Sequence, residues 1–277
     1  MRFQVFCLYS LALIALIVFL FVNAPVPLPD STATNAHSIS IEQVFSLLEG
    51  ESDVVRGTWT QDIVKSGTQS GLKFSAKWRQ KSVEAGPLPA LFLREIAKNL
   101  ERSRFRLSLF LGSDFPISSA NQFIGDQMNK FQLLKTTLQP QFFREPDTGL
   151  YTGMFADVAI SKACIDCHND HPDSPKNDWQ LQDVMGATTW MYPQQRVTLE
   201  DTLHLLQLFR SSVVIAYTRY LDKVATFSNP PEIGKKWPSQ GYFLPDAETF
   251  ISKTSQKASV STIRILFRTL KKNEPHS

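Results

Sequence analysis

The chain lacks a strong excess of either charge: 29 basic residues face 26 acidic ones, spread along 277 positions. No basic stripe marks a nucleic-acid footprint, so charge nominates no polyanionic macromolecule as partner. There is no internal repeat and no long low-complexity stretch, which leaves no sign of a solenoid or a disordered chain. With 43% hydrophobic residues a sizeable core is affordable in length and composition. Cysteine is scarce as well. Only Cys7, Cys164 and Cys167 occur, so no second cysteine pair exists to complete a zinc module of the usual kind.

Charge is wholly absent from residues 3–22, "FQVFCLYSLALIALIVFLFV". Twenty such positions in a helix match a hydrocarbon core of roughly 30 Å. Val22-Asn23-Ala24 resembles a cleavage site, but the apolar run is long for a signal peptide and Pro25 follows. The expectation is an uncleaved anchor over 1–24. Arg2 and the amino terminus stay in the cytoplasm, and everything after it lies outside. The Pro-, Ser- and Thr-rich stretch 25–39 then reads as a tether. His37 falls within it.

Beyond the tether, Ser40-Ile41-Glu42-Gln43 has capping-box spacing and opens a helix over about 40–66, with Gly50 a possible break. Pro87 and Pro89 introduce a second helix striped by Phe92, Ile96 and Leu100. Alternation over 104–111 predicts a strand with Leu107, Leu109 and Leu111 inward and Arg104 and Arg106 outward. A helix over about 119–137, a hairpin turning at Pro146-Asp147-Thr148-Gly149 and a strand "VMGATTWMY" follow. The stripe Leu199, Leu203, Leu206, Phe209, Val213, Tyr217, Tyr220 predicts a helix over about 198–225, with Arg210 arguing against a second span. An aperiodic wrap and a last helix near 255–271 close the chain. Four strands flanked by helices make an α+β domain with an antiparallel sheet. The divisions expected are 40–197 for the main domain and 198–277 for a helical extension packed on it.

The chemistry sits in "CIDCHNDHPDSPKNDW", Cys164 to Trp179. Outside the cytoplasm two nearby thiols become occupied, by a disulfide, a metal or haem. A disulfide leaves His168 as coincidence, and the segment is expected to lack the strand-then-helix setting of a thioredoxin-like motif. Zinc would recruit Cys164, Cys167, His168 and His171, four ligands within eight residues, a cramped tetrahedron. Haem attachment alone requires the next residue to be histidine: the thiols form thioethers and the imidazole ligates iron. Asp157, Asp166 and Asp183 read as turn and surface residues. Arg104 and Arg106 read as propionate contacts or a solvated face.

The segment "CIDCHNDHPDSPKNDWQLQDVMG" also resembles the signature of a bacterial family of PAS-like, single-haem c-type domains, long catalogued as of unknown function. Asn169, Pro172 to Lys176, Asp178 and Trp179 match, while Gln182 stands where glycine is usual before Asp183. The likeness extends from the helix near 90 to the strand ending near 192. It implies a PAS-like sheet with one haem c against it, bound through Cys164 and Cys167 with His168 as axial iron ligand. Some members place a cysteine in the helix before the first strand, where this chain has Leu93. Met154, Met185 and Met191 are then the candidates for the opposite iron position, with an open position as the alternative. His171 and His204 rank behind them. The resulting expectation is an electron carrier, not an enzyme, anchored in the bacterial cytoplasmic membrane with its domain in the periplasm and a redox partner there. A haem-based sensor acting through a membrane signalling partner is the alternative.

Overall fold

The computed structural model describes residues 38–160 and 162–272, together with the isolated helical positions Leu13 and Phe19. The apolar run 3–22 and the tether therefore lie outside the described residues, apart from those two positions. Among the described residues no helix is long and apolar enough to cross a membrane.

The elements run β1 (Ile39–Ser40), α1 (Ile41–Thr58), α2 (Pro89–Glu101), β2 (Ser108–Gly112), α3 (Gly125–Thr137), β3 (Gln141–Arg144) and β4 (Tyr151–Val158). They continue with α4 (Lys162–Asp170), β5 (Val184–Tyr192), β6 (Arg196–Val197), α5 (Leu199–Val224), β7 (Glu232–Gly234), β8 (Phe243–Pro245) and α6 (Ala247–Lys272). Helix α1 starts at the expected capping box: Ser40 Oγ accepts from Gln43 N, and Gln43 Oε1 accepts from Ser40 N. It does not break at Gly50. It passes through a π-helical turn, Trp59–Lys65, into a last turn at Ser66–Gln69. Packing of its apolar face outweighs the roughly 1 kcal/mol that an interior glycine costs a helix.

The main sheet is antiparallel throughout, in the order β2-β5-β4-β3. Its two faces bury different sets. Tyr151, Phe155, Trp190 and Tyr192 join Leu107 and Leu109 against α1, α2 and α5, with Trp59, Phe92, Tyr217, Tyr220 and Phe250 deeper in the same core. Met154, Ala156, Val158 and Ala187 lie on the other face under Phe123, Phe131 and Leu134. The alternation along β4 thus feeds two cores. The β2–β5 contact depends on glycine: a Cβ on Gly186 would stand 2.5 Å from Gly112 O.

Several expected boundaries move. The alternation from 104 begins pairing only at Ser108, because Arg106 holds φ 55°, a conformation a strand cannot continue through. Arg104 lies over the Phe105 ring at 5.2 Å. The expected helix 119–137 divides into a 3-10 turn, Ser119–Asn121, and α3, with the left-handed Gly125 at the join. In α5 the stripe is buried from Leu206 onward, while Leu199 and Leu203 are exposed. Helix α6 starts at Ala247, earlier than expected, and the wrap before it holds the parallel pair β7–β8. Strand β5 coincides with the expected "VMGATTWMY".

Candidate functional site

Strand β4 leads directly into α4, which carries the cysteine motif. This overturns one expectation: the strand-then-helix setting is present. Burial pushes the Cys167 thiol up, reinforced by Cys164 and Asp170. Both cysteines are half-buried thiols.

Positions 164, 167 and 168 are i, i+3 and i+4 on one helix, so the two sulfurs and the imidazole share a face of α4. Around them lies a small apolar cluster of Ala159, Trp179 and Met185, against which Cys164 and Ile165 pack. The Trp179 ring meets His168 edge-on at 6.5 Å, and Phe115 meets Trp179 at 6.4 Å. Asn169 sets that tryptophan: its Nδ2 donates to Trp179 O at 3.0 Å and its Oδ1 accepts from Trp179 N at 2.9 Å. Lys176 lies over the same ring at 4.7 Å and pairs with Asp178. The matching residues Asn169, Lys176, Asp178 and Trp179 are therefore one clamp. At its neck, Ala159 N donates to Asp183 O and Gln182 N to Ala159 O, at 2.9 and 3.0 Å. Ile160 and Leu181 beside this neck are exposed.

Burial lowers the His168 pKa; the Asp157 charge acts the other way and His171 adds to the lowering. The neutral ring with an available lone pair is thereby favoured, which is the form that binds a metal. Among the described residues its buried Nδ1 has no hydrogen-bond partner, and neither has the buried Trp179 Nε1. Two cysteines on one helical face, a half-buried imidazole and an apolar surround fit a large, flat, metal-bearing group better than a bare ion. Among the described residues no three or more His, Cys, Asp or Glu side chains are grouped to hold a metal ion. His171 Nδ1 accepts from Asp173 N at 3.2 Å.

Other candidates separate. Met185 shares the motif's cluster, Met154 is buried under α3, and Met191 pairs with Ser108 and Thr152 along the sheet. His204 stands beside Phe105 at 6.0 Å. Asp166 pairs with Lys162, and Asp183 accepts from Gln180 N, so no acidic constellation forms with Asp157. Asp157 instead pairs with Arg56 of α1, which also reaches Asp53 at 2.8 Å. Burial opposes the Arg56 charge, but Asp157, Asp53 and Glu49 outweigh it and hold the guanidinium protonated. Glu49 accepts from Trp190 Nε1 at 2.7 Å, and burial followed by the Asp53 charge raises its pKa to about 8. Sequence reading passes over Glu49 and Arg56. Their one signal is a spacing of two helical turns that puts both on the apolar face of α1.

An α+β domain with an antiparallel sheet and a strand-borne Cys-x-x-Cys-His helix is the class these features define. Residues 31–193 match the model of the Tll0287-like family, and the chain belongs to that family. The match begins before α1, so it takes in an amino-terminal helix that the likeness from residue 90 onward did not reach. No curated protein and no solved structure gives a significant match.

Proposed function

We propose that this chain is a membrane-anchored, extracytoplasmic c-type cytochrome. It would hold one haem through thioethers from Cys164 and Cys167, with His168 as axial iron ligand, and exchange electrons with a periplasmic or membrane partner. The observation that carries the reading is the shared face of α4, which bears both cysteines and His168, whose Nδ1 is buried with no hydrogen-bond partner among the described residues. Membership of the Tll0287-like family supports it. Anchoring and the outward orientation rest on the charge-free run 3–22 behind Arg2.

When bound, haem supplies an iron that alternates between two oxidation states. The chain's own residues would set the conditions. The two cysteines fix position, Asn169 holds Trp179 against the imidazole, and Trp179 with Met185 limits water. Asp157, held in place by its pair with Arg56, acts on His168 through its charge. Met154, Met185 and Met191 are the thioethers on the sheet that would be available as a second ligand to a bound haem.

A second reading, a haem-based redox or gas sensor acting through a membrane partner, draws support from topology. The order β2-β5-β4-β3 sets the last strand beside the first, as in a PAS-like sheet with helices against its faces.

The test is the intact mass of the full chain made in cells with a working cytochrome-maturation system. One added haem is expected, lost in the double variant Cys164→Ser/Cys167→Ser; an unchanged wild-type mass overturns the proposal. Oxidised and reduced spectra then report coordination. Rapid carbon monoxide binding without electron exchange moves the assignment to the sensor.

A further inference from the structure

Away from α4, the segment before α2, the outer face of α2 and the carboxyl-terminal half of α5 line an open, solvent-facing concavity of about 490 Å³. Its charged lining is Arg79, Lys98, Arg102, Arg219 and Lys223 around a single carboxylate, Glu95. Five cations against one anion is a lopsided set for a chain whose total charge is +3. Glu95 is buried and already engaged: Arg79 pairs with it, Lys98 stands at 3.6 Å and Arg219 at 4.0 Å. Arg102 and Lys223 have no ion pair among the described residues. Lys223 Nζ donates to Gln80 O at 2.9 Å.

We infer that this concavity is a binding site for a phosphate-bearing anion carrying at least two negative charges. Its volume falls within the range of small-ligand sites, roughly 300–1,000 Å³. Its shape converges guanidinium forks with ammonium points, the pairing that recognises phosphate oxygens. Glu95 serves as the internal anchor that orients Arg79 and Arg219 while leaving the remaining positive charge unmet. The cations also act on one another: burial, then Arg219 and Arg102, lower the Arg79 pKa, and burial, then Arg79, Arg94 and Arg102, lower that of Lys98. An anion relieves this mutual repulsion. The inference stands on α2, α5 and the segment before α2, and is independent of any group carried by α4.

One chemistry has two sources here, a free phosphate compound or the headgroup of an anionic lipid. The experiment is isothermal titration of the purified full chain with inorganic pyrophosphate at fixed ionic strength, repeated at higher salt. Saturable binding is expected, weakening as salt rises. Arg102→Gln/Lys223→Gln should weaken it at least about tenfold, as loss of two charge-assisted partners implies. Lys130→Gln, on the other side of the sheet, should not change it. Displacement by dihexanoyl-phosphatidylglycerol but not by dihexanoyl-phosphatidylcholine assigns the lipid source; no displacement assigns the free compound. Absence of saturable binding, or equal affinity in the double variant and in wild type, overturns the inference. Should the double variant misfold, acylation of Lys98 and Lys223 in wild type decides: pyrophosphate must slow it, and unchanged rates are fatal to the site.

Discussion

The proton on Glu49 shows how a single side chain can couple the fold to solution conditions. Its carboxyl is raised from 4.5 to about 8 by burial, with Asp53 adding to the effect. Between those values the unfolded chain has released the proton and the folded chain keeps it, so stability falls as pH rises through that window. Chemical denaturation of wild type should show this decline between pH 5 and pH 8, on the order of a few kcal/mol at most. Glu49→Gln keeps an oxygen for Trp190 Nε1 and cannot titrate, so its profile should be flatter and its stability at pH 8 higher than wild type. Equal slopes in the two proteins would remove Glu49 as the source. The same residue marks a limit on sequence reading. Cys164, Cys167 and His168 are legible because their relationship is local, contained in five positions. Glu49 meets Trp190 across 141 residues and Arg56 meets Asp157 across 101, and no local pattern announces such pairs.

At the scale of elements, helix α3 ends against preference. Leu138 takes the left-handed conformation at φ 55°, its N–H donates to Leu134 O at 2.8 Å, and its side chain is 60% exposed. A glycine there keeps the cap and removes the steric cost, so Leu138→Gly should stabilise by about 1 kcal/mol. A melting temperature higher by about 2–4 °C checks it; a lower one would show that the leucine contributes contacts the cap geometry does not reveal. Legibility at this scale follows periodicity and punctuation. The hairpin, β5 and α5 were readable because alternation or a helical stripe runs between clear turn and capping residues. Strand β2 was overextended because nothing in "RSRFRL" signals the positive φ of Arg106. The pairs β1–β6 and β7–β8, two and three residues per strand, are too short to carry a period at all.

For the whole molecule, the decisive fact is that the region beyond the family match supplies much of the principal core. Phe209, Val213, Tyr217, Tyr220 and Phe250 are buried in it, and Tyr217 stacks on Phe250 with ring centres 4.1 Å apart. Tyr217 Oη donates to Pro245 O, while Arg210 and Thr262 both donate to the buried Glu51 of α1. These last segments close the core; they are more than a covering. A chain ending at residue 193 would expose the faces of the π-helical turn and α2 built around Trp59 and Phe92. It should lose its cooperative unfolding transition and its near-ultraviolet circular dichroism while retaining helical signal. A truncated chain that still melts sharply would assign stability to the matched region alone.

The neck between Ala159 and Asp183 makes the cysteine segment a closed excursion from the sheet, entered and left through adjoining backbone atoms. Such an excursion is a cassette. Its contents can be exchanged, shortened or lost over generations while β4 and β5 continue to pair, so the scaffold and the chemistry it displays are free to diverge at different rates.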